Sequence, residues 1–410
     1  MKNIKYIDGG ICAAKGFKAN GIYCGIKLAE DKKFDLGMIV ADVDCNTAAV
    51  YTQNKVKGAP IIVTKQNLEK AGNKTRAIIV NSKNANTCNA DGEEKALKMC
   101  ELVSSNLGIP KEQVIVASTG VIGQVLPIEP IEIGIKSLVD GLSYNGNGDL
   151  ATAIMTTDTV KKEVAVEFEL NGKTCHLGGC AKGSGMIHPN MATTLNFITT
   201  DVAISSDMLQ KALDEIVVIT YNCLSVDGDT STNDMVSVMA NGLASNTEIT
   251  AENKNFEIFK DALFIVMRDM TKMLAKDGEG ATKLLECVCK NAPSFETAII
   301  IAKSIICSPL FKCAMFGEDA NWGRILCAIG YANAEFDINK VDVFIGSKNG
   351  EIDVCKNGAG IDFSEETASE ILSADEIIIT VNLNQGDFRA TAWGCDLTYD
   401  YVKINGDYRS

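Results

Sequence analysis

Strand-type and helix-type apolar periods follow one another along this chain without a regular alternation, and that irregularity most restricts its fold. Two-residue alternation marks Val164-Ala-Val-Glu-Phe-Glu-Leu170, closed by an Asn171-Gly172 turn. Apolar runs at Gly21–Lys27, Leu36–Asp42, Ala48–Thr52, Ala77–Val80, Gln113–Ala117, Ile377–Leu383 and Phe388–Gly394 predict further strands. Helical spacing covers Asp91 to Asn106 through Ala96, Met99, Leu102 and Val103. Ser205-Ser-Asp207 caps a second helix that begins at Met208 and ends near Tyr221. A third spans Phe256–Ala275 and stops at Asp277-Gly-Glu-Gly280, and a fourth runs from Ser294 to Cys307. A doubly wound sheet needs strand and helix in a repeating unit, and no such unit is present. The expectation is α+β layers.

The 410 residues carry a net charge of −14, which leaves no basic face for a nucleic-acid backbone. A small anionic substrate is still allowed, because it responds to local charge. Fifteen cysteines is an odd count, scattered from Cys12 to Cys395 with no CxxC pair. That pattern reads as small buried thiols in a reducing compartment rather than a secreted disulfide framework. His176 and His188 are the only histidines, which argues against a metal centre and gives a Ser-His-Asp triad little to work with. Met1-Lys-Asn-Ile-Lys lacks the apolar core of a signal peptide, and Lys303 interrupts the runs around Ile299–Ile301 and Ile305–Ile306. The expected place is the cytoplasm, with no membrane and no nucleic acid as partner.

Chemistry concentrates in Gly178-Gly-Cys-Ala-Lys-Gly-Ser-Gly-Met-Ile-His-Pro-Asn-Met-Ala-Thr-Thr-Leu195. It is not a phosphate loop. The Walker pattern needs Gly-Lys-Ser/Thr, and here Lys182 precedes Gly183. A dinucleotide pattern started at Gly183 and Gly185 needs a third glycine where His188 stands. With histidine scarce, a hydroxyl nucleophile has another route to a base. A threonine at a free N-terminus uses its own α-amine, whose pKa of roughly 7.7–8.0 suits neutral pH. That route requires internal cleavage before a threonine, with a small residue ahead of it, and Ala192-Thr193 meets the requirement. On these residues alone, a structural loop is the first reading, because Ala-Thr dipeptides are common.

Lys182-Gly-Ser-Gly-Met-Ile187 followed by Pro189-Asn-Met-Ala-Thr193 resembles the self-cleavage motif of the glutamate N-acetyltransferase/ornithine acetyltransferase family of arginine biosynthesis. Further blocks resemble the family in the family's order: Gly16-Phe17, Thr52-Gln-Asn-Lys55, Ala59-Pro60, Ser118-Thr-Gly-Val-Ile-Gly123, Met155-Thr-Thr-Asp-Thr159 and Val226-Asp-Gly-Asp-Thr-Ser-Thr-Asn-Asp234. Asp277-Gly-Glu-Gly-Ala-Thr-Lys283, Gly317-Glu-Asp-Ala-Asn-Trp-Gly-Arg324 and Ile404-Asn-Gly-Asp-Tyr-Arg-Ser410 extend the likeness over almost the whole chain. Four positions depart from it: His188 where a small residue is expected, Thr194 for Met, Lys83 for Gly, and Ser410 for Thr.

The resemblance implies a layered α/β sandwich of the DmpA/ornithine-acetyltransferase kind, cut into an α chain, 1–192, and a β chain, 193–410. It implies acetyl transfer from N2-acetylornithine to glutamate through an acetyl ester on Thr193, after cleavage between Ala192 and Thr193. Thr119 and Gly120 match the oxyanion pair. Thr156, Lys182, Thr193, Glu279, Asn405 and Ser410 match substrate-binding positions. No metal or other cofactor is implied. The family permits acetyl-CoA as a second donor, though no CoA motif is legible, and its precedent for assembly is two α and two β chains. Two alternatives remain at this level. One is an N-terminal-nucleophile amidohydrolase or aminopeptidase in which water replaces glutamate; the other is an uncut, non-catalytic binding protein.

Overall fold

A computed structural model describes residues 4–27, 33–188 and 194–407. Among the described residues, sixteen strands form two sheets. The larger runs, from one edge, Lys5–Tyr6, Lys162–Leu170, Lys173–Lys182, Leu195–Thr200, Met235–Ala240, Leu36–Tyr51, Lys74–Asn81 and Val114–Ser118, with Phe17–Ile22 also paired to Leu36–Tyr51. The smaller is ordered Ala359–Gly360, Gly350–Lys356, Asp342–Ser347, Glu376–Asn382, Leu284–Ala292, Phe388–Cys395 and Leu224–Ser225. Both mix parallel and antiparallel neighbours.

The helix Lys254–Lys276 joins the two sheets. Its buried positions include Phe259, Leu263, Val266, Met270 and Leu274, a three-and-four spacing that makes one apolar face. It packs on Lys162–Leu170 and Lys173–Lys182 of one sheet and on Leu284–Ala292 and Phe388–Cys395 of the other. One continuous apolar cluster therefore links the sheets, and the layered α+β sandwich is the architecture expected from the irregular periods. Smaller clusters around Phe17, Ile39 and Phe197 and around Met38, Ile79 and Val116 fill out the larger sheet. Among the described residues no single helix is long and apolar enough to cross a membrane.

The four expected helices form, as Gly92–Leu107, Ser206–Ile219, Lys254–Lys276 and Phe295–Ile306. Ser205 and Ser294 cap the second and fourth through their side chains. The Asn171-Gly172 turn takes φ of 51° and 74° at its two residues, as a tight hairpin requires. Two expectations change. Leu36–Asp42 and Ala48–Thr52 belong to one strand, Leu36–Tyr51, whose pairing slips register between Val40 and Cys45. The polar residues that look like a break occupy this irregular stretch, and 42–44 are exposed.

The expected strand Gly21–Lys27 stops at Ile22. Asp35, fully buried, takes over the backbone there: its carboxylate accepts from the N–H groups of Cys24, Gly25, Ile26 and Lys27 at 2.7–3.2 Å. A side chain thus replaces a neighbouring strand as the acceptor. Asp35→Ala should cost about 3 kcal/mol, because several donors lose their partner at once. Urea unfolding would show it as a lowered midpoint with little change in slope.

Candidate active site

The strand Val114–Ser118 lies at one edge of the larger sheet and ends in Thr119-Gly120. A polar loop holds that end in place. Ser118 Oγ donates to Asn81 Oδ1 at 2.6 Å, Thr119 N–H to the Asn81 carbonyl at 3.0 Å, and Asn81 Nδ2 to the Asn84 carbonyl at 2.9 Å. Asn233 reaches across with its amide, donating to the carbonyls of Ala85 at 2.6 Å and Ser118 at 3.0 Å. Gly120 has φ of 132°, and a Cβ there would stand 2.1 Å from the Lys83 carbonyl carbon, so only glycine fits. Lys83 itself is held left-handed, at φ of 80°. Among the described residues, neither the Thr119 hydroxyl nor the Gly120 N–H has a hydrogen-bond partner.

Lys182 ends a strand that pairs antiparallel with Leu195–Thr200, Lys182 standing opposite Leu195. Gly183 and Thr194 therefore lie at the same end of two adjacent strands. Thr194 re-enters with φ of 92°, strained for a β-branched residue. Its N–H donates to Asp234 Oδ1 at 2.7 Å, and its carbonyl accepts from Met235 N–H at 3.0 Å. His188 has its Nδ1 3.1 Å from Ser225 Oγ and 3.6 Å from Cys307 Sγ. Burial, with the Lys303 ammonium adding to it, holds the imidazole below its ordinary pKa.

A buried ion cluster sets the floor. Lys162 Nζ, without solvent access, lies 2.7 Å from Asp158 Oδ1 and 2.5 Å from Asp277 Oδ2. Asp158 also accepts from Gly183 N–H at 2.7 Å and from Thr156 N–H at 3.0 Å. Asp277 accepts from Thr159 through its N–H and its hydroxyl, and the Asp277 carbonyl accepts from Ser184 Oγ at 2.7 Å. The Ser184 carbonyl in turn accepts from Glu279 N–H at 2.9 Å. Burial alone would raise the Asp158 carboxyl, but the Lys182 and Lys162 ammonium groups overcome it and hold the group at about 2.

Beside this cluster lies a cleft of about 130 Å³, lined by Thr119, Gly120, Thr156, Lys182, Glu279 and Asn405, with Thr157, Gly185, Met186 and Ser231. Gly185 is forced by close approach, since a Cβ there would meet the Glu279 carboxylate at 2.4 Å. Asn405 Nδ2 donates to Glu279 Oε2 at 2.8 Å. The cleft thus has a cation, Lys182, an anion, Glu279, and two open donors at a strand end. Opposite charges and open donors in one cleft can pair with both ends of a zwitterion and with an oxygen that gains negative charge.

The ArgJ family profile matches residues 18–410. The arginine biosynthesis bifunctional protein ArgJ 1 of Clostridium acetobutylicum is 51% identical, with all of both chains aligned. That of Caldanaerobacter subterraneus is 48% identical over 99% of this chain and all of the relative. This chain belongs to the ArgJ family. It is accordingly an enzyme of arginine biosynthesis, an acyltransferase of the glutamate N-acetyltransferase kind. A crystal structure of the Bacillus halodurans arginine biosynthesis bifunctional protein is 48% identical, covering 52% of this chain and 98% of its own, at a TM-score of 0.50.

Of the ArgJ-family positions singled out in the sequence, the structure gathers Thr119, Gly120, Thr156, Lys182, Glu279 and Asn405 around one cleft. Ala192, Thr193 and Ser410 lie outside the described residues. Thr194, next in sequence to the expected nucleophile, lines a recess shared with Thr119, Lys182 and Ser231. Sequence reasoning missed the supports: Asp158, Lys162, Asn233 and Asp234. Asp158 and Lys162 are four residues apart, a spacing that signals an ion pair only on a helix, and they fall in a loop and at a strand start.

Because Asp158 titrates at about 2 in the fold and an unfolded aspartate near ~3.9, its contribution to stability is complete above ~pH 4–5. It should be lost as the pH falls through about 2, a change on the order of 2 kcal/mol. Lys162→Met removes the counter-charge from two buried carboxylates and should cost about 3–5 kcal/mol at pH 7. Urea unfolding of both proteins between pH 7 and 2 measures the two effects; K162M should also lose most of the acid-side slope.

Proposed function

We propose that this cleft moves an acetyl group from N2-acetylornithine to glutamate through an ester on Thr193, after the chain cuts itself between Ala192 and Thr193. The observation that carries the reading is the pair of open donors, Thr119 Oγ and Gly120 N–H, sharing one cleft with Lys182 and Glu279. Such donors stabilise the oxyanion of acyl transfer, and opposite charges suit an amino-acid substrate.

Thr193 Oγ attacks the acetamide carbonyl while its α-amine takes the hydroxyl proton. The negative charge on the carbonyl oxygen is received by Thr119 and Gly120. Collapse breaks the C–N bond, and the Thr193 ammonium returns the proton to the departing α-nitrogen of ornithine. Glutamate's α-amine then attacks the acetyl ester by the same steps in reverse. One amide replaces another, so the exchange is close to balanced and reversible. Lys182 pairs with the α-carboxylate common to both substrates. Glu279 answers the side-chain ammonium of ornithine, and the Asn405 amide beside it is a donor that the side-chain carboxylate of glutamate can use. Thr156 and Ser410 complete the anchors.

Two findings support the rest of the reading. The relatives are named bifunctional, which supports acetyl-CoA as a second acetyl donor to glutamate. The Bacillus halodurans chain, matched over 98% of itself, spans 52% of this one, and a cut at Ala192-Thr193 would leave a longer piece of 218 of the 410 residues. An α chain, 1–192, and a β chain, 193–410, fit that proportion; two of each per assembly is the arrangement the family resemblance implies. The fifteen thiols, most of them buried, suit a reducing cytoplasm.

Intact mass under denaturing conditions should give pieces of about 20.6 and 23.3 kDa, in proportion to 192 and 218 residues of 43.9 kDa, and Thr193→Ala should abolish them. One uncut species from active protein would overturn the threonine mechanism. Thr119→Ala should lower kcat by about 10²–10³ in the glutamate-dependent release of ornithine. Release that proceeds equally without glutamate would instead make the enzyme a hydrolase.

A further inference from the structure

A cut between Ala192 and Thr193 would leave Thr193 at the start of a chain, joined covalently to the rest of the fold through Thr194 alone. Whatever holds Thr194 then restrains its neighbour. The Thr194 N–H belongs to the planar peptide unit that also contains the Thr193 carbonyl and Cα, so a partner gripping that N–H orients the plane from which the Thr193 side chain projects. That partner is Asp234, which is buried and whose Oδ1 accepts the Thr194 N–H at 2.7 Å from 40 residues away. Thr194 is held at two further points: its carbonyl accepts from Met235 N–H at 3.0 Å, and its hydroxyl accepts from Asn196 Nδ2. A β-branched residue stays at φ of 92° only when its surroundings over-determine it, and these three contacts do so.

Asp234 has a rigid base. The side chain of Asn233, just before it, is fully engaged: Oδ1 accepts from Thr87 Oγ1 and Thr232 Oγ1, each at 2.6 Å, and Nδ2 donates to the carbonyls of Ala85 and Ser118. The Asp234 carbonyl accepts from Thr52 N–H at 3.0 Å. Just after it, Met235 opens a strand paired on both sides, parallel with Leu195–Thr200 and antiparallel with Leu36–Tyr51. Consecutive side chains therefore reach both halves of the site. Asn233 holds the carbonyl of Ser118, the residue before Thr119, and Asp234 holds the N–H of the residue after Thr193. Thr119, Thr194, Asn233 and Asp234 all line one recess.

We propose that Asp234 is a positioning residue for the nucleophile: through the Thr194 N–H it directs the Thr193 hydroxyl toward the Thr119–Gly120 donors. The proposal rests on the reading of Thr193 as the nucleophile. Asp234 takes no proton and forms no bond to substrate in this scheme. Its effect is geometric, and a misplacement of about 1 Å in such an arrangement costs on the order of 10²-fold in rate.

The test compares wild type, Asp234→Asn and Asp234→Ala as full-length chains. It reads the fraction cut by intact mass, and kcat and KM for acetylornithine per mole of cut enzyme across pH. With Lys182 and Glu279 untouched, KM should stay within about twofold. The kcat should fall about 100-fold in D234A and about 10-fold in D234N, whose amide oxygen still accepts the Thr194 N–H but more weakly than a carboxylate. D234N should also keep the acid limb of its kcat profile, because the base is the Thr193 α-amine. A D234N enzyme with wild-type kcat overturns the proposal. So does a KM that rises while kcat holds, or a melting temperature that falls while kcat per cut enzyme holds. Loss of the acid limb would make Asp234 the base, which overturns it too. If D234A does not fold or is not cut, D234N decides. An uncut but active wild type would instead be the failure of the threonine reading, seen before any variant is made.

Discussion

A lysine ammonium without access to water is affordable only if its charge is answered, and Lys162 is answered twice, by Asp158 and Asp277. The two carboxylates come from segments far apart in sequence, and each carries a further duty. Asp158 holds the backbone of Thr156, which lines the cleft with Lys182, and of Gly183, the residue after Lys182. Asp277 follows the long helix that joins the two sheets, and its carbonyl fixes Ser184, whose own carbonyl fixes Glu279. Removing the ammonium would leave two buried negative charges repelling one another at the point where three segments meet. The positive and negative ends of the cleft are therefore set by one buried pairing, shielded from salt and from solvent competition.

The opposite wall obeys a different constraint. Thr119 and Gly120 are positioned by hydrogen bonds from neutral groups: Asn81, Asn84 and Asn233 saturate the surrounding carbonyls and N–H groups and leave the Thr119 hydroxyl and Gly120 N–H unengaged among the described residues. A donor held in this way needs no rearrangement when negative charge develops beside it, which is the condition for effective stabilisation of an oxyanion. Gly185 and Met186 line the same cleft as Thr119 and Gly120. Met186 and Thr194, before and after the expected cleavage site, both have positive φ, a conformation that costs free energy in residues other than glycine.

Much of the fold was legible because its signals are local. The helix Lys254–Lys276 shows a full apolar face, Ser205 and Ser294 are side-chain caps, and Asn171-Gly172 is a tight turn wherever it occurs. The strand Gly21–Lys27 misled because four N–H groups that look available for a sheet are taken by Asp35, a residue eight or more positions on whose burial no local pattern announces. The C-terminal helix Tyr399–Asp407 was equally unannounced, since it buries no residue and so lacks an apolar stripe.

By itself the sequence determined the layered α+β character, the scarcity of histidine, and the family blocks that single out Thr119, Gly120, Thr156, Lys182, Thr193, Glu279 and Asn405. These follow from residue type and short-range spacing, which the chain displays whether folded or not. Only the tertiary structure decided that Thr119, Lys182 and Glu279 border one cleft, that Lys162 is the buried counter-charge beside it, and that Asp234 holds Thr194 from across the fold. A hydrogen bond or ion pair between residues 40 or 115 apart depends on where the sheets carry them. Desolvation, which makes such pairs obligatory, exists only once the core has closed.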